Sequence, residues 1–311
     1  MDRILTTFDA PSFTLRQLSF LVCAAEEGTV AGAAARLHAS PSAVSEALTE
    51  LERSLGATLM VRRRARGLTL TSTGVDVVAR ARALLAASRE LESSLRAAPG
   101  ELVGPITIGC YPTLAPTVLP PILQGFGRAH PRVELEIVEA THDRLKGRLE
   151  SGQIDVAFVY DTLVPGEPRR ARLFELPAHA VLAADDPLAA EPTVHLEQLV
   201  ERDLILLDAP PSSEHTMSLF AAQGLVPRVR HRVQSYEAVR ALVGRGLGYG
   251  ILVQRPANQA SYDGYPVAML EIVPEVPTVG IDVIWPASPE PTERAQALIG
   301  FARSLSWPQP R

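Results

Sequence analysis

The sequence predicts a mainly α-helical N-terminal region that carries a short β-hairpin, followed by a larger C-terminal α/β region. At 311 residues the chain is longer than one hydrophobic core usually fills, so at least two domains are expected. Helical periodicity dominates residues 15–97, whereas short apolar strands alternate with helices from residue 106 onward. Residues 98–100 (APG) interrupt the helical pattern and separate the two regions.

Three short helices open the N-terminal region. They are predicted at residues 15–25, 30–37 and 41–55. Gly28 is expected to end the first helix in a left-handed conformation, and Thr29 to cap the second. Ser40 suits the N-cap of the third helix, and Pro41 suits its first turn. Two short helices joined by a tight turn, the second of them amphipathic, are typical of a helix-turn-helix.

A hairpin and a long helix follow. Residues 57–61 and 68–71 have the composition of two short strands, which would form a wing beside the helix-turn-helix. Residues 75–97 are predicted to form one helix. Apolar or small residues occupy positions 77, 81, 84, 88, 91 and 95. This heptad spacing predicts a coiled coil between two copies of the chain.

Charge is distributed unevenly along the chain. The formal net charge is −5, but residues 1–100 contain 12 arginines against 10 acidic residues, and residues 101–311 carry a net charge of −7. Five arginines fall within residues 53–66, which contain no carboxylate: Arg53, Arg62, Arg63, Arg64 and Arg66. Such a cluster suits contact with phosphates, although a solvated charged surface has the same composition.

Four segments of the N-terminal region occur together at fixed spacing. They are residues 28–45 (GTVAGAAARLHASPSAVS), 51–56 (LERSLG), 59–62 (LMVR) and 70–74 (LTSTG). On these segments, residues 14–74 resemble the DNA-binding domain of LysR-type transcriptional regulators. The resemblance implies a winged helix-turn-helix domain at residues 1–74 and a linker and dimerisation helix at residues 75–99. It also implies DNA contacts by Thr29, Ser40, Pro41, Ser42, Ser45, Glu46, Arg62, Arg63, Arg64 and Arg66.

Two departures from the family pattern fall where the family touches DNA. Pro41 stands where most members have Gln, and Glu46 where many have Arg. Since a carboxylate accepts from cytosine N4 but repels phosphate, we expect unusual operator bases. The wing is one residue longer than is common, which makes Arg66 the match to the family's minor-groove arginine, with residues 62–64 on phosphates.

The C-terminal region alternates strands and helices. Strands are predicted at residues 106–109, 133–137, 154–160, 180–183, 204–207, 228–233, 250–253 and 279–285, and helices at residues 114–130, 144–151, 214–223, 236–245 and 293–305. This alternation predicts a largely parallel sheet.

Short motifs in the C-terminal region match the same family. They are residues 106–109 (ITIG), 119–120 (LP), Phe126, 130–131 (HP), 152–157 (GQIDVA) and 246–248 (GLG). Residues 104–307 thus resemble the family's effector-binding domain, which is similar to periplasmic binding proteins. The resemblance implies two subdomains, residues 104–163 with 267–307 and residues 164–266, with a ligand cleft between them.

Candidate ligand contacts lie at strand ends. Tyr111, Pro112 and Thr113 follow the first strand of this region, where hydroxyl and backbone N–H groups favour an anion such as a carboxylate. By position, Thr113 and Thr141 match family hydroxyls that meet the inducer, although both could serve only as helix caps. Ala209 and Gly248 are expected on the opposite side of the cleft.

Other kinds of site find little support in the sequence. Cys23 and Cys110 are interpreted as buried small residues, because the family's peroxide sensors use two cysteines in the second subdomain, where this chain has none. The seven histidines include no zinc-binding pair. The glycines in residues 244–250 lack the spacing of a dinucleotide-binding fingerprint, and no catalytic serine motif or phosphate loop occurs.

The sequence therefore predicts a transcriptional regulator that binds double-stranded promoter DNA and whose activity is modulated by a small, anionic co-inducer. A cytoplasmic location is expected, since neither a signal peptide nor a membrane segment is evident. The protein is also expected to be neither an enzyme nor dependent on a cofactor. The resemblance further implies a dimer of dimers and contact with RNA polymerase. The alternative is a cytoplasmic small-molecule-binding protein or enzyme with an accessory basic domain.

Overall fold

The computed structural model describes residues 11–63, 67–94, 101–162, 168–288 and 290–307. The chain divides into two compact units. One comprises Met1–Gly104 with Arg148–Gln153, and the other Pro105–Gly147 with Ile154–Arg311.

The N-terminal unit contains four helices and a hairpin among its described residues. They are α1 (Leu15–Glu27), α2 (Val30–Arg36), α3 (Pro41–Leu55), β1 (Met60–Arg63), β2 (Gly67–Leu70) and α4 (Ser72–Ser94), with β1 and β2 antiparallel. The predicted caps are confirmed. Gly28 has a φ of 65°, Thr29 Oγ1 accepts from the Gly32 amide at 3.0 Å, and Ser40 Oγ accepts from the Ala43 amide at 3.2 Å.

The core of this unit lies where the first three helices meet. Leu21, Ala33, Val44 and Leu51 are fully buried there. Because Ala33 has a short side chain, α2 can approach its neighbours closely, and burial of each leucine contributes about 1.5–3 kcal/mol. No single described helix is long and apolar enough to cross a membrane, although the bent pair α1–α2 meets that criterion when its halves are combined.

Helix α4 begins three residues before its predicted start. Thr71 Oγ1 accepts from the Gly74 amide at 2.9 Å and so caps its first turn. The first two predicted heptad positions do not face outward, because Val77 is partly buried in the unit's own core and Ala81 is buried there. Leu84 and Leu91 are 47% and 65% exposed. Position 95 lies outside the described residues.

The described part of the C-terminal unit contains two larger sheets and one strand pair; of its elements, only Gly104 at the start of β3 and residues 148–150 at the end of α6 belong to the N-terminal unit. Its elements are β3 (Gly104–Cys110), α5 (Ala115–Ala129), β4 (Val133–Glu139), α6 (His142–Glu150), β5 (Val156–Tyr160), β6 (Arg169–Pro177), β7 (His179–Ala183), β8 (Thr193–His195), β9 (Asp203–Leu207), α7 (Ser212–Ala222), β10 (Arg228–Val233), α8 (Tyr236–Gly244), β11 (Gly250–Leu252), β12 (Val267–Val273), β13 (Thr278–Trp285) and α9 (Glu293–Ser304). The strand orders are β4-β3-β5-β13-β6, β11-β7-β12-β8 and β10-β9.

The expected largely parallel sheet is wrong. Strands β3 and β5 are parallel, but β13 runs antiparallel to both β5 and β6. In the second sheet, β11 and β12 are antiparallel to β7, and only the β12–β8 and β10–β9 pairings of that half are parallel among the described strands. The reason is that β12 returns the chain antiparallel beside β7, and β13 later enters the first sheet antiparallel between β5 and β6. Sequence analysis missed β6 and β12.

The predicted subdomain boundaries also need correction. Residues 169–177 form β6, which hydrogen-bonds to β13 in the first sheet, and residues 267–273 form β12, which pairs with β7 and β8 in the second. The chain therefore crosses between the sheets near residue 178 and again near residue 274, instead of at residues 163–164 and 266–267. Hereafter, the first subdomain is residues 104–177 and 278–307, and the second is residues 178–273.

The second subdomain contains a buried histidine. His179 on β7 is fully buried, and neither ring nitrogen has a hydrogen-bond partner among the described residues. Burial lowers the pKa of His179, and together with the nearby charges of Arg255 and Arg240 it brings that pKa to about 3. The imidazole is therefore neutral in the folded protein near neutral pH.

This neutral histidine predicts acid sensitivity. Between about pH 6.5 and pH 3 the unfolded chain binds a proton at His179 that the folded chain does not, so the free energy of unfolding falls as the pH falls. From pH 7 to pH 5 the expected loss is roughly 2 kcal/mol. It can be measured by urea unfolding followed through the fluorescence of Trp285 and Trp307, the two tryptophans of the chain. His179→Gln should remove this part of the pH dependence.

The matched control is His231→Gln, which changes an exposed histidine on β10. That variant should keep the wild-type pH dependence. Equal slopes for wild type and His179→Gln between pH 7 and pH 5 would contradict the assignment.

Candidate DNA-binding surface and ligand cavity

Helix α3 has an apolar face and a polar face. Val44, Leu48 and Leu51 are buried, whereas Ser42 and Glu46 are exposed on the other side. Pro41 is exposed as well, Ser45 is half-buried, and the Ser40 and Ser42 hydroxyls lie 3.0 Å apart. The exposed start of α3 is thus a polar surface that is held in place by the buried face of the same helix. Such a surface could contact base edges in a DNA groove.

The base of the wing packs on the turn between α1 and α2. The Leu68 amide donates to the Gly28 carbonyl at 2.7 Å. Gly67 has a φ of 71°, and a Cβ at this position would lie 2.3 Å from the same carbonyl oxygen. Only glycine fits here, and the contact fixes the hairpin relative to Thr29 at the start of α2.

Glu52 attaches the hairpin to α3, a role that sequence analysis did not assign. Its Oε1 accepts from the Leu59 amide at 2.7 Å and the Met60 amide at 3.0 Å. Thr71 Oγ1 donates to the Thr58 carbonyl at 2.8 Å. A carboxylate in the last turn of a helix gives no sequence signal for such a bond, because its partner strand is defined only once the chain has folded.

The predicted wing contacts are placed only in part. The backbones of Arg62 and Arg63 belong to β1, opposite Leu68 and Gly67. Arg64 and Arg66 lie outside the described residues. Among the described side chains of this unit, two other arginines form ion pairs. Arg36 pairs with Glu26 at 2.6 Å, and Arg82 on α4 pairs with the same carboxylate at 3.0 Å.

Replacing Glu52 by alanine should loosen the wing. Two amides would be deprived of a charged acceptor, so the free energy of local opening at Leu59 and Met60 should fall by about 1–3 kcal/mol. Native-state hydrogen exchange of these amides measures that quantity directly. Glu50→Ala is the control, because Glu50 lies on the same helix and is exposed. Equal protection of both amides in the two variants would exclude the proposed attachment.

A small pocket lies between the two subdomains of the C-terminal unit. We call it the inner pocket. It has a volume of about 20 Å³, which leaves room for roughly one water molecule. Its polar lining consists of Thr113, Tyr160, Thr162, Ser212, His215, Thr216, Tyr236 and Gln254, and its apolar lining includes Leu207, Ile251, Val253 and Val279.

A much larger cavity, here called the outer cavity, shares three residues with the inner pocket. Thr113, Tyr236 and Gln254 line both. The outer cavity has a volume of about 1130 Å³ and is bounded by the start of α5, the start of α8 and residues 254–259. Cavities of roughly 300–1000 Å³ hold typical small-molecule ligands, so the outer cavity has ample room for one.

Two hydrogen bonds join the subdomains beside these cavities. The Tyr111 hydroxyl donates to the Ala209 carbonyl at 3.2 Å, and the Thr117 hydroxyl donates to Gln254 Oε1 at 2.7 Å. Within the first subdomain, Thr113 Oγ1 and the Tyr160 hydroxyl lie 2.8 Å apart. A ligand that separates or tightens these partners would shift one subdomain relative to the other.

The predicted ligand residues are distributed unevenly around the cavities. Pro112 lines the outer cavity and Thr113 lines both. Tyr111 and Ala209 bond to each other, and the Tyr111 side chain is buried. Neither is among the described residues that line the inner pocket or the outer cavity.

Thr141 and Gly248 are also absent from those described linings. Thr141 is exposed before α6, where its carbonyl accepts from the Leu145 amide at 2.9 Å. Gly248 has a φ of 147°, and a Cβ there would lie 2.2 Å from the Asp203 carbonyl oxygen, so this glycine permits a close approach of two backbones.

Two polar side chains that sequence analysis missed face the inner pocket. Gln254 is 6% exposed, and its Nε2 has no hydrogen-bond partner among the described residues. His215 Nε2 is likewise buried without a partner there, and burial lowers the pKa of His215 while the charge of Asp161 opposes that shift. Buried polar groups are normally paired, so these two offer hydrogen bonds to an occupant of the pocket.

The two cysteines are buried, as predicted. Burial, together with the charge of Glu139, raises the pKa of the Cys110 thiol far above its usual range. Burial also raises the pKa of Cys23, against the lowering effect of Arg36. Both are therefore protonated thiols rather than reactive thiolates.

A winged helix-turn-helix unit joined to a two-subdomain α/β unit with a cleft defines a class of ligand-responsive transcriptional regulators. Comparison with known families agrees. Residues 15–75 match the bacterial regulatory helix-turn-helix protein, lysR family, and residues 99–306 match the LysR substrate binding domain. The chain belongs to the LysR family of DNA-binding transcriptional regulators, with an N-terminal DNA-binding domain and a C-terminal ligand-binding domain.

Individual relatives are similar over most of their length. The chain is 28% identical to an uncharacterized HTH-type transcriptional regulator, YvbU, of Bacillus subtilis, over 94% of this chain and 98% of that one. A putative LysR family regulator from Pseudomonas aeruginosa is 33% identical, with a TM-score of 0.63 over 94% and 98% of the two chains. The C-terminal domain of a probable LysR regulator from Rhodococcus sp. RHA1 is 40% identical, with a TM-score of 0.64 over 65% of this chain and all of that domain.

Proposed function

We propose that the chain binds operator DNA in a promoter through the exposed start of α3 and the arginines of the wing. Polar Ser42, Ser45 and Glu46 would meet base edges in the major groove, since the opposite face of α3 is fixed in the core. Arg62–Arg64 would contact phosphates and Arg66 the minor groove. The observation that carries this proposal is the amphipathic α3, with its polar face exposed beside an attached, arginine-bearing hairpin.

Binding to DNA that flanks the chain's own gene tests this proposal. Replacing Arg62, Arg63, Arg64 and Arg66 together by alanine should weaken operator binding. It should also reduce the slope of log K against log salt concentration by about one for each phosphate that is no longer neutralised. Fluorescence anisotropy at several salt concentrations measures both quantities.

Arg128→Ala is the matched control, because it removes an exposed positive charge from α5 in the other unit. Its affinity and salt slope should equal those of the wild type. The proposed surface would be contradicted if the wild type bound the flanking DNA no more tightly than random DNA. It would also be contradicted if the multiple-alanine variant kept the wild-type slope of log K against log salt concentration.

We further propose that two chains assemble through α4, and that two such dimers form the tetramer on DNA that contacts RNA polymerase. Leu84 and Leu91 support the dimer, since both are exposed in the single chain and lie one heptad apart. Burial of this pair against a second α4 would remove apolar surface from water and would set the separation of two α3 helices along the DNA.

Leu91→Glu should weaken that dimer. The introduced carboxylate would face its symmetry mate, so the dissociation constant should rise by at least about tenfold, as measured by analytical ultracentrifugation. Arg89→Glu changes an exposed residue on another side of the same helix and should leave association unaltered. A Leu91→Glu chain that associates as tightly as the wild type would exclude α4 as the dimer seam.

The same proposal assigns effector sensing to the cleft between the subdomains. A small anionic molecule would bind there and change the relative placement of the subdomains, because the Tyr111–Ala209 and Thr117–Gln254 bonds cross the cleft beside the cavities. Effector and operator would then alter each other's affinity by the same factor.

A further inference from the structure

Arg255 is a partly buried arginine with an unsatisfied donor among the described residues. It lines the outer cavity, and its Nε is buried without a hydrogen-bond partner among the described residues. The other charged residues of that described lining are Glu237 and Arg240, which pair with each other at 2.9 Å. Among the described residues of this lining, Arg255 is therefore the charged side chain without an opposite charge beside it, and an anion in the cavity would supply that charge.

The segment that carries Arg255 is held in place by the neighbouring helix. Arg240 on α8 is 4% exposed, and its Nη2 donates to the Asn258 carbonyl at 2.7 Å and the Ala260 carbonyl at 2.8 Å. The Tyr236 hydroxyl donates to the Gln254 carbonyl on the same segment. Arg255 is thus presented on a backbone fixed at both ends, which lowers the entropic cost of binding a ligand.

A second observation beside Arg255 points to the same kind of ligand. Gln254 is more than nine-tenths buried and lines both the inner pocket and the outer cavity, and its Nε2 donor has no partner among the described residues. Its Oε1 is already engaged by Thr117 at 2.7 Å, so the side chain has a defined position. An unsatisfied amide donor next to an unpaired guanidinium suits an acceptor that is negatively charged.

The remaining wall favours an organic anion over a bare inorganic one. Pro116, Leu176, Pro256 and Met269 line the outer cavity beside the polar groups. Its volume of about 1130 Å³ far exceeds that of a small oxyanion. The lowered pKa of His179, which the charges of Arg255 and Arg240 reinforce, is consistent with a positive potential in this part of the subdomain.

We propose that Arg255 and Gln254 bind the carboxylate of an organic acid in the outer cavity, with the apolar body of the acid against Pro116, Leu176 and Met269. This proposal rests on the effector-sensing function above and identifies the chemical class of the effector and the residue that recognises its charge. Arg255 forms the bidentate ion pair, Gln254 adds one hydrogen bond, and Arg240 is a positioning residue.

The test uses the full chain and acids paired with their uncharged analogues. Benzoate and hexanoate are compared with benzamide and hexanamide, and with inorganic phosphate, at constant ionic strength by isothermal titration calorimetry and thermal unfolding. At least one carboxylate should bind and raise the melting temperature, whereas its amide and phosphate should bind at least about tenfold more weakly.

Variants assign the charge recognition. Arg255→Gln should weaken carboxylate binding roughly 10- to 100-fold, and Gln254→Leu should weaken it by a smaller factor. Arg128→Gln, which removes an exposed charge from α5, should bind as the wild type does. No binding of either acid, equal binding of acid and amide, tighter binding of phosphate, or an Arg255→Gln chain with wild-type affinity would each overturn the proposal.

Operator binding separates this proposal from the one on which it rests. The wild-type chain is therefore also titrated with operator DNA in the absence of acid, and should select its operator over random DNA. Carboxylate binding by a chain that does not select its operator would refute the regulatory function and keep the site. Operator binding by a chain that binds neither acid would refute the proposed carboxylate site and keep the regulatory function.

Discussion

The cleft of the C-terminal unit depends on hydrogen bonds between chain segments that are far apart in sequence. Tyr111 bonds to Ala209, and Thr117 bonds to Gln254, 98 and 137 residues further along. These bonds form because the chain crosses twice between the two sheets, once after β6 and once after β12. The pairing of β6 with β13 therefore determines which residues face each other across the inner pocket.

The DNA-binding unit is also held together by hydrogen bonds between separate chain segments, over shorter distances in sequence. Gly28 ends α1, and its carbonyl oxygen accepts a hydrogen bond from the Leu68 amide of the wing. The next residue along the chain is the N-cap of α2. Glu52 joins the other side of the hairpin to α3. As a result, the described base of the wing is attached to α3, and a change of orientation of the whole unit would move all the proposed DNA contacts together.

Local sequence signals are sufficient to predict the helices and helix caps of the N-terminal unit. Glycine at position 28 and the hydroxyls of Thr29 and Ser40 act within one turn of their own helix, so spacing along the chain predicts them. The C-terminal helices were found for the same reason. Strand direction could not be predicted, because the period-two pattern of β6 or β12 is the same whether the neighbouring strand runs parallel or antiparallel.

The residues that line the cavities are harder to predict than the fold. Thr113 is predicted as a ligand contact from its place after β3, and it lines both cavities. Tyr111 and Ala209 were placed at the right edge, but the side chain of one bonds to the backbone of the other. Gln254 and Arg255 are missed by sequence analysis, since what marks them is a buried Nε2 and a buried Nε, each without a hydrogen-bond partner among the described residues. Only the folded arrangement shows that a buried group has no partner.

The proposed regulation requires that the cleft and the DNA-binding surface be energetically coupled. The most direct measurement is the affinity of a bound carboxylate for the full chain with and without saturating operator DNA, together with the operator affinity with and without the acid. The account predicts that both affinities change by one common factor, on the order of 5–150. Identical affinities in the presence and absence of the other ligand would contradict it.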